Sequence, residues 1–303
     1  MHLHAHETPG MSRALGWALG INLAFVVVEF VGGYLGHSLA LLSDAVHNLS
    51  DLPSMSLSLL ALYAQRRPAD PQRTYGYQRS GVLAAFVNAL VLVAVALYIF
   101  YEAFARLRAP VEVNTGWMLW VAAAGIVVNG GIAWLMWRGR GDLNLRTVLI
   151  HNAGDAASSA GILAGALVIA RTGWTVVDPL LSFAIGAAVL WSSAGVIRES
   201  AHILLEGTPR GIRVEEVAQA MLRVPGVAEV HDIHIWSLAA HLHALSCHVR
   251  IEEMSTRESE KILAQLNALL AREFRISHTT IQFEPRAAEA ARYFPVAENR
   301  KGS

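Results

Sequence analysis

The stretch SLALLSDAVHNLSD, residues 38–51, places His47 and Asp51 four positions apart inside an apolar run. The stretch HNAGD, residues 151–155, repeats that spacing in a second apolar run. Residues four apart stand one above the other on a helix, so each stretch presents one imidazole and one carboxylate on a single helix face. The sequence therefore predicts two helices that offer four metal ligands to a common point.

The composition indicates a membrane part followed by a soluble part. Of the 303 residues, 54% are hydrophobic and 16% are charged, which argues against an ordinary soluble enzyme. Residues 14–198 hold 20 charged side chains in 185 positions, whereas residues 199–303 hold 26 in 105. The formal net charge is zero, so no basic field is available to attract nucleic acid, and nucleic-acid binding is not expected.

Six apolar runs are long enough to cross a bilayer, since a helix needs about 20 residues to span ~30 Å of hydrocarbon. They are Ala14–Leu35, Ser38–Tyr63, Ser80–Phe104, Gly116–Trp137, Leu145–Ala170 and Trp174–Ile197. Polar residues interrupt the second and fifth runs, which predicts that these two helices are the most enclosed by protein. The fold class expected for this part is a six-helix α-helical transmembrane domain.

The arginines between the predicted spans indicate the orientation, because cytoplasmic loops carry an excess of positive charge. One side holds Arg13, Arg66, Arg67, Arg73, Arg79, Arg138, Arg140 and Arg146. The other side holds Arg106, Arg108 and Arg171. Both termini are therefore predicted to lie in the cytoplasm.

The chain after the last span alternates between helix and strand periodicity, and EGTPRG at residues 206–211 supplies turn residues at the boundary. The predicted elements are a helix at 214–223, strands at 227–238 and 242–252, a helix at 256–274 and a strand at 279–283. This α-β-β-α-β order is typical of a small two-layer α+β domain. The predicted division is a His-containing N-terminal segment at 1–13, a six-span domain at 14–206, a soluble domain at 207–285 and a flexible tail at 286–303.

The two His-x-x-x-Asp pairs supply two nitrogens and two oxygens, a ligand set that suits tetrahedral Zn²⁺. Ionisable groups at membrane depth cost about 2.5–3.5 kcal/mol each on insertion scales, so they call for a partner or a function. The alternative is that these side chains only satisfy one another between helices. A metal held by four protein ligands lacks the open position of catalytic zinc, and no nucleophile motif is present, so transport is favoured over catalysis. The protein is not expected to be an enzyme.

Further motifs give the chain a specific resemblance from about Leu15 to Pro285. Besides residues 38–51 and 151–155, they are RPAD at 67–70, TYG at 74–76, DP at 178–179, VHDIHIW at 230–236 and HTTIQ at 278–282. With these motifs the chain resembles the cation diffusion facilitators, a family of proton-coupled zinc exporters, and is similar to its bacterial zinc-efflux branch.

The resemblance implies a six-helix membrane domain with a cytoplasmic ferredoxin-like domain, assembled as a homodimer. It implies that the ligands of the transport site are His47, Asp51, His151 and Asp155. It implies a second, regulatory zinc site in the cytoplasmic domain, formed by His231, His248 and Glu284. Gln282 replaces a histidine found in some members, which weighs against two zinc ions there. A third zinc site of some members is not expected, because the loop that carries Asp70 has Arg73 and Tyr77 instead of histidines.

The function expected from these features is export of Zn²⁺ from the cytoplasm across a bacterial inner membrane in exchange for protons. No prosthetic group is expected, and Zn²⁺ is both substrate and regulatory ligand. The ligands must lose protons to bind metal, which couples the two fluxes. One alternative is a membrane-bound zinc sensor whose intramembrane site stabilises the fold. The other is a broader exporter of Cd²⁺, Co²⁺ or Fe²⁺.

Overall fold

The computed structural model describes residues 9–49, 69–137, 143–239 and 242–285. Two compact units are present. The first takes its described residues from Met1–Leu60 and Ala84–Ile197, and the second takes them from Ala61–Leu83 and Arg198–Ser303. The predicted segment 1–13 lies partly outside the described residues, and the predicted tail at 286–303 lies wholly outside them.

Long helices make up the first unit. They are α1 (Pro9–Leu35), α2 (39–49), α3 (Ser80–Arg108), α4 (Thr115–Trp137), α5 (Leu143–Thr172) and α6 (Val177–Leu204), the last of which continues into the second unit. Large apolar side chains on their outer faces are exposed, among them Trp120 at 79%, Val127 at 74% and Trp191 at 86%. Such faces are stable only in contact with lipid or further protein.

Four helices in the described residues are long and apolar enough to span a membrane. They are Ser80–Arg108, Thr115–Leu135, Leu149–Thr172 and Val177–Leu204. The first predicted span lies within the continuous helix Pro9–Leu35, and the part of it whose side chains are described, Gly20–Leu35, is apolar. The second predicted span is helical to residue 49, and its remainder lies outside the described residues. An apolar helical membrane domain is thus confirmed, while the count of six spans stays a prediction.

Helix α2 is the most enclosed of these helices over its described length. One side of it packs through Ala40 and Leu41 into a buried cluster with residues of α4 and α5, such as Met118 and Ile162. Another side packs through Leu39 and Val46 with residues of α3 and α6. Because both sides meet protein, its polar side chains have protein partners available, as the interrupted hydropathy of the second predicted span indicated.

The second unit contains the predicted α-β-β-α-β order. Its elements are α7 (Val214–Leu222), β1 (Val227–Ala239), β2 (Leu242–Ile251), α8 (Thr256–Phe274) and β3 (Ile276–Pro285). Strand β2 is central, antiparallel to β1 and parallel to β3. The small sheet is confirmed, whereas the assignment to the ferredoxin-like fold stays a prediction.

One face of this sheet packs on both helices. Alternate residues of β2, including Leu245, Cys247 and Val249, join Met221 of α7 and Leu266 of α8 in one buried cluster. Alternation along a strand sends the intervening residues to the opposite face. That opposite face carries a cluster formed by His231, His248 and Glu284, which is called the cytoplasmic cluster below.

Helix α8 begins where the sequence predicted, because Ser255 and Glu258 form a capping box. The Ser255 hydroxyl and backbone N–H donate to the Glu258 carboxylate at 2.7 and 3.0 Å. These hydrogen bonds hold the pKa of Glu258 below its usual value. Strand β3 is longer than the predicted 279–283, because it pairs with β2 from residue 276 to residue 285.

Candidate metal centres

Helices α2 and α5 bring together three of the four predicted transport ligands. Asp155 Oδ1 lies 3.5 Å from His47 Nε2, and Asp155 Oδ2 lies 3.5 Å from His151 Nε2. Two ligand atoms bound to one zinc ion at about 2.0–2.1 Å in a tetrahedron are separated by roughly 3.4 Å. The spacing of each pair therefore fits an ion bound between that imidazole and Asp155, while the ligand atoms of the three residues do not all lie within 4.8 Å of one another. The fourth predicted ligand, Asp51, lies outside the described residues.

The Asp155 side chain is the centre of this group and is only 7% exposed, while the His47 and His151 side chains are 24% and 41% exposed. A buried carboxylate thus contacts two imidazoles that are more exposed than it is. The i,i+4 spacing on α5 accounts for the contact of Asp155 with His151. Its contact with His47 depends on the packing of α2 against α5.

Two more carboxylates lie close to these ligands on α1 and α2. Glu29 accepts two hydrogen bonds of 2.8 Å from the side-chain amide of Asn48. The Asp44 carboxylate accepts a hydrogen bond of 2.6 Å from the hydroxyl of Ser158. Glu29 and Asp44 are both nearly fully buried. These contacts tie α1 to α2 and α2 to α5 on either side of His47.

The start of α2 is held by Asp178 near the start of α6. The Asp178 carboxylate accepts hydrogen bonds from the Ser38 hydroxyl at 2.6 Å and from the backbone N–H groups of Leu39 and Ala40 at 2.8 and 3.1 Å. Arg106 of α3 lies 3.6 Å from the same carboxylate and donates to the His37 carbonyl at 2.6 Å. The first N–H groups of a helix have no partner within the helix, so Asp178 caps α2 from another helix.

The three predicted regulatory ligands meet on the outer face of the sheet. His231 and His248 are paired across β1 and β2 with ring centroids 5.4 Å apart. Glu284 of β3 lies 3.3 Å from His231 Nε2 through Oε2 and 2.7 Å from His248 Nδ1 through Oε1. Within the described part of the chain, these residues form the one group of three or more His, Cys, Asp or Glu residues whose ligand atoms all lie within 4.8 Å of one another. Two imidazoles and a carboxylate at this spacing fit Zn²⁺.

Two further side chains, those of Gln282 and Asp232, contact this cluster. Gln282 pairs with His248 in the sheet register, and its side-chain amide donates to Glu284 at 3.5 Å. Asp232, which the sequence analysis did not single out, lies 3.8 Å from His248 Nε2. Strict alternation would place Asp232 on the opposite face from His231, so nothing in the pattern indicated this contact.

Other histidines of this unit have structural contacts. His243 Nδ1 lies 3.2 Å from the Ser237 hydroxyl, and the His278 ring packs edge-on against Tyr75 with centroids 5.3 Å apart. His241 lies outside the described residues.

The loop that carries Asp70 has hydrogen-bond donors around the carboxylate. Asp70 Oδ1 accepts from the backbone N–H groups of Gln72 and Arg73 at 2.8 Å, and Oδ2 accepts from the Tyr77 hydroxyl at 3.3 Å. Desolvation raises the pKa of Asp70, but the hydrogen bonds from Arg73, Gln72 and Tyr77, together with the charge of Arg73, outweigh it and hold that pKa below its usual value. The expectation that this loop binds no zinc stays a prediction.

Comparison with known families covers nearly the whole chain in two parts. Residues 17–205 match the cation efflux transmembrane domain. Residues 209–286 match the cytoplasmic domain of cation efflux proteins. The first match contains every predicted transport ligand, and the second contains every predicted regulatory ligand.

Three relatives are similar over almost their full length. The cation efflux system protein CzcD of Alcaligenes sp. is 37% identical, with 99% of this chain and 96% of that protein aligned. A cadmium, cobalt and zinc/H(+)-K(+) antiporter of Bacillus subtilis is 38% identical, with 94% and 92% aligned. The zinc transporter ZitB of Escherichia coli is 36% identical, with 93% and 92% aligned.

Proposed function

The chain belongs to the cation efflux family, as its motifs predicted, and on this premise we propose that it exports Zn²⁺ from the cytoplasm in exchange for protons. The family is one of multi-pass membrane transporters, so no enzymatic activity is assigned. His47, Asp51, His151 and Asp155 hold the ion during transport in this proposal.

The observation that carries the proposal is the Asp155 carboxylate placed 3.5 Å from one imidazole on each of two membrane helices. A buried acid between two nitrogen ligands suits a divalent ion that accepts both nitrogen and oxygen, as Zn²⁺ does. The proposed ligands come from the second and fifth predicted spans only. Movement of this helix pair against the others could therefore change access to the ion without separating the ligands.

Exchange with protons follows from the chemistry of the ligands. Free imidazole titrates near 6.5 and free carboxylates near 4, and both must be deprotonated to bind zinc. A site that opens to a more acidic exterior would release zinc and take up protons. The name of the Bacillus subtilis relative, which includes H(+) antiport, supports the same coupling.

We further propose six spans with both termini in the cytoplasm, in a bacterial inner membrane, and a homodimer joined through the cytoplasmic domain. The arginine distribution supports the orientation, and the match of residues 209–286 to a cytoplasmic domain supports the location of the metal cluster. In this proposal residues 14–206 transport the ion and residues 207–285 regulate transport through His231, His248 and Glu284.

Transport in liposomes tests the proposal. Purified protein is reconstituted, a pH gradient is imposed, and an entrapped fluorescent indicator reports zinc. We expect zinc flux that depends on the gradient and disappears when an ionophore collapses it. Zinc binding without such flux would favour the alternative of a membrane-bound sensor.

A broader ion range is the second candidate, because the Bacillus subtilis relative is named for cadmium, cobalt and zinc. Two nitrogen ligands disfavour Mg²⁺ and Mn²⁺, which prefer oxygen, but they do not separate Zn²⁺ from Cd²⁺ or Co²⁺. Competition between these ions in the same liposomes measures the range.

Replacing His47 with aspartate should shift selectivity from Zn²⁺ toward Cd²⁺. The substitution removes one of two nitrogen ligands and adds a carboxylate, which can adjust to a larger ion more easily than an imidazole held at a shorter bond. We expect the zinc-to-cadmium flux ratio to fall roughly 10-fold, equivalent to about 1.4 kcal/mol of preference. The measurement is flux with both ions at equal concentration. An unchanged ratio would show that His47 does not set the choice of ion.

The double substitution His231→Ala and His248→Ala should remove zinc binding at the cytoplasmic cluster while sparing the transport site. It deletes two of three ligands there, so affinity should fall more than ~100-fold. The measurement is zinc titration of the full chain in an Asp155→Ala background, in which the transport site is disabled. In the otherwise native chain the double variant should still transport zinc but lose the proposed regulation of transport by cytoplasmic zinc. Unchanged affinity would exclude these two residues as ligands.

A further inference from the structure

Strand β1 carries one extra residue where it passes the cytoplasmic cluster. His231 pairs with His248, and the next pair is His234 with Ser246, so three steps on β1 face two on β2. Asp232 lies in this bulge with φ at 51°, in the left-handed region. An aspartate tolerates that conformation better than most residues do. The bulge is therefore compatible with the sequence without a glycine.

The bulge changes which side chains share a face. His231 and His234 are three residues apart, and regular alternation would send them to opposite faces of the sheet. The extra residue places Ile235 in the buried core and pairs both histidines with alternate residues of β2, His231 with His248 and His234 with Ser246. Asp232 Oδ1 lies 3.1 Å from His234 Nε2, and Oδ2 lies 3.8 Å from His248 Nε2.

His248 has a different carboxylate at each ring nitrogen. Its Nδ1 lies 2.7 Å from Glu284, on the side of the three proposed ligands, while its Nε2 faces Asp232. A neutral imidazole has one nitrogen that can bind a metal and one that carries hydrogen. If Nδ1 binds zinc, Nε2 must carry the hydrogen and needs an acceptor. Metal-bound histidines commonly donate that hydrogen to a carboxylate, which fixes the ring and makes it a better ligand.

We propose that Asp232 is the positioning residue of the cytoplasmic metal centre: its carboxylate, 3.8 Å from Nε2 of His248, favours the hydrogen on that nitrogen and so leaves Nδ1 to bind the ion. The proposal rests on the proposed zinc site of His231, His248 and Glu284. His234 in turn orients Asp232 through its second oxygen. In this proposal His234 and Asp232 are not zinc ligands. They set the ring orientation and the tautomer of the ligand His248.

Two substitutions separate this role from the backbone role of the bulge. Asn and Gly both accept a positive φ, so Asp232→Asn and Asp232→Gly keep the bulge while removing the carboxylate. Loss of such an outer partner costs about 10- to 100-fold in metal affinity. We expect Asp232→Gly, which removes every side-chain acceptor, to bind zinc at least about 10-fold more weakly than the parent, and Asp232→Asn, which keeps one neutral acceptor oxygen, to bind with an affinity between the two. Thermal unfolding of both variants should be unchanged when metal is chelated.

Affinity is measured on the full chain by zinc titration against a chromophoric chelator, in the Asp155→Ala background. Bound Co²⁺ gives a second readout, since a changed orientation of His248 alters its visible absorption bands. Glu260→Ala, which removes an exposed acid of α8, is the matched control and should bind as the parent does.

The outcomes are distinct. Parental zinc affinity in Asp232→Gly would overturn the proposal, because Asp232 would then serve only the backbone conformation of the bulge. Parental affinity in the His231→Ala and His248→Ala double variant would overturn the zinc site itself, and the proposal with it. Weak binding in the double variant together with weak binding in Asp232→Gly supports both the zinc site and the role of Asp232.

Discussion

Asp155→Ala should abolish zinc transport and leave insertion of the protein in the membrane intact. The Asp155 carboxylate is the group within 3.5 Å of both His47 and His151, so its loss removes the centre of the proposed site. It also removes negative charge that offsets a divalent ion in a medium of low dielectric constant, where such an interaction is stronger than in water.

Folding should tolerate this substitution. The Asp155 carboxylate contacts the two imidazoles, and removing a buried carboxylate also removes the cost of burying its charge. We therefore expect normal expression and a monodisperse protein in detergent. Zinc flux in liposomes should fall more than ~100-fold, to the level of vesicles without protein.

Two variants complete the experiment. Asp155→Asn keeps the shape of the side chain but loses its charge, and it should be as inactive as Asp155→Ala. Glu112→Ala removes an exposed acid from the loop before α4 and should transport as the native protein does. Flux near the native level in Asp155→Ala would assign the contact between α2 and α5 to structure and not to ion binding.

Asp178→Ala should destabilise the membrane domain more than any of the ligand substitutions. Its carboxylate accepts hydrogen bonds from Ser38, Leu39 and Ala40, all of which are buried. Alanine would leave two backbone N–H groups and one hydroxyl without an acceptor. An unsatisfied buried donor costs about 1–3 kcal/mol, so the expected total is roughly 3–5 kcal/mol.

Thermal unfolding of detergent-solubilised protein measures this effect. A loss of that size should lower the midpoint by roughly 10 °C in a domain of this length. The order of destabilisation should be Asp178→Ala, then Asp178→Asn, which keeps one acceptor oxygen, then Ser38→Ala, which removes a single donor. A midpoint for Asp178→Ala equal to the native one would show that α2 is not held by this cap.

Arg106 should not be left without partners in these variants. It keeps a hydrogen bond of 2.9 Å to Glu102 and donates to the His37 carbonyl at 2.6 Å. The loss in Asp178→Ala is therefore attributed to the start of α2, which also carries His47. Zinc flux measured beside stability would show whether loosening the helix start reaches the ligand about two turns further on.

The sequence by itself determined the features that depend on local periodicity. Runs of about 20 apolar residues predicted the membrane helices, and alternation predicted β1 and β2 to within one residue at each end. Helix α8 matched its predicted bounds because a capping box marks its start. The His-x-x-x-Asp spacing likewise predicted the contact between His151 and Asp155, since both lie on one helix face.

Only the tertiary structure decided which distant groups meet. Nothing near Asp178 in the chain indicates that it caps a helix 140 residues earlier, or that Asp44 accepts from Ser158, because packing of separate helices creates those contacts. Asp232 faces His248 only because an extra residue in β1 shifts the alternation on which the prediction depended. Local patterns determine the elements and their faces, whereas the register and packing between elements determine the partners of each polar side chain.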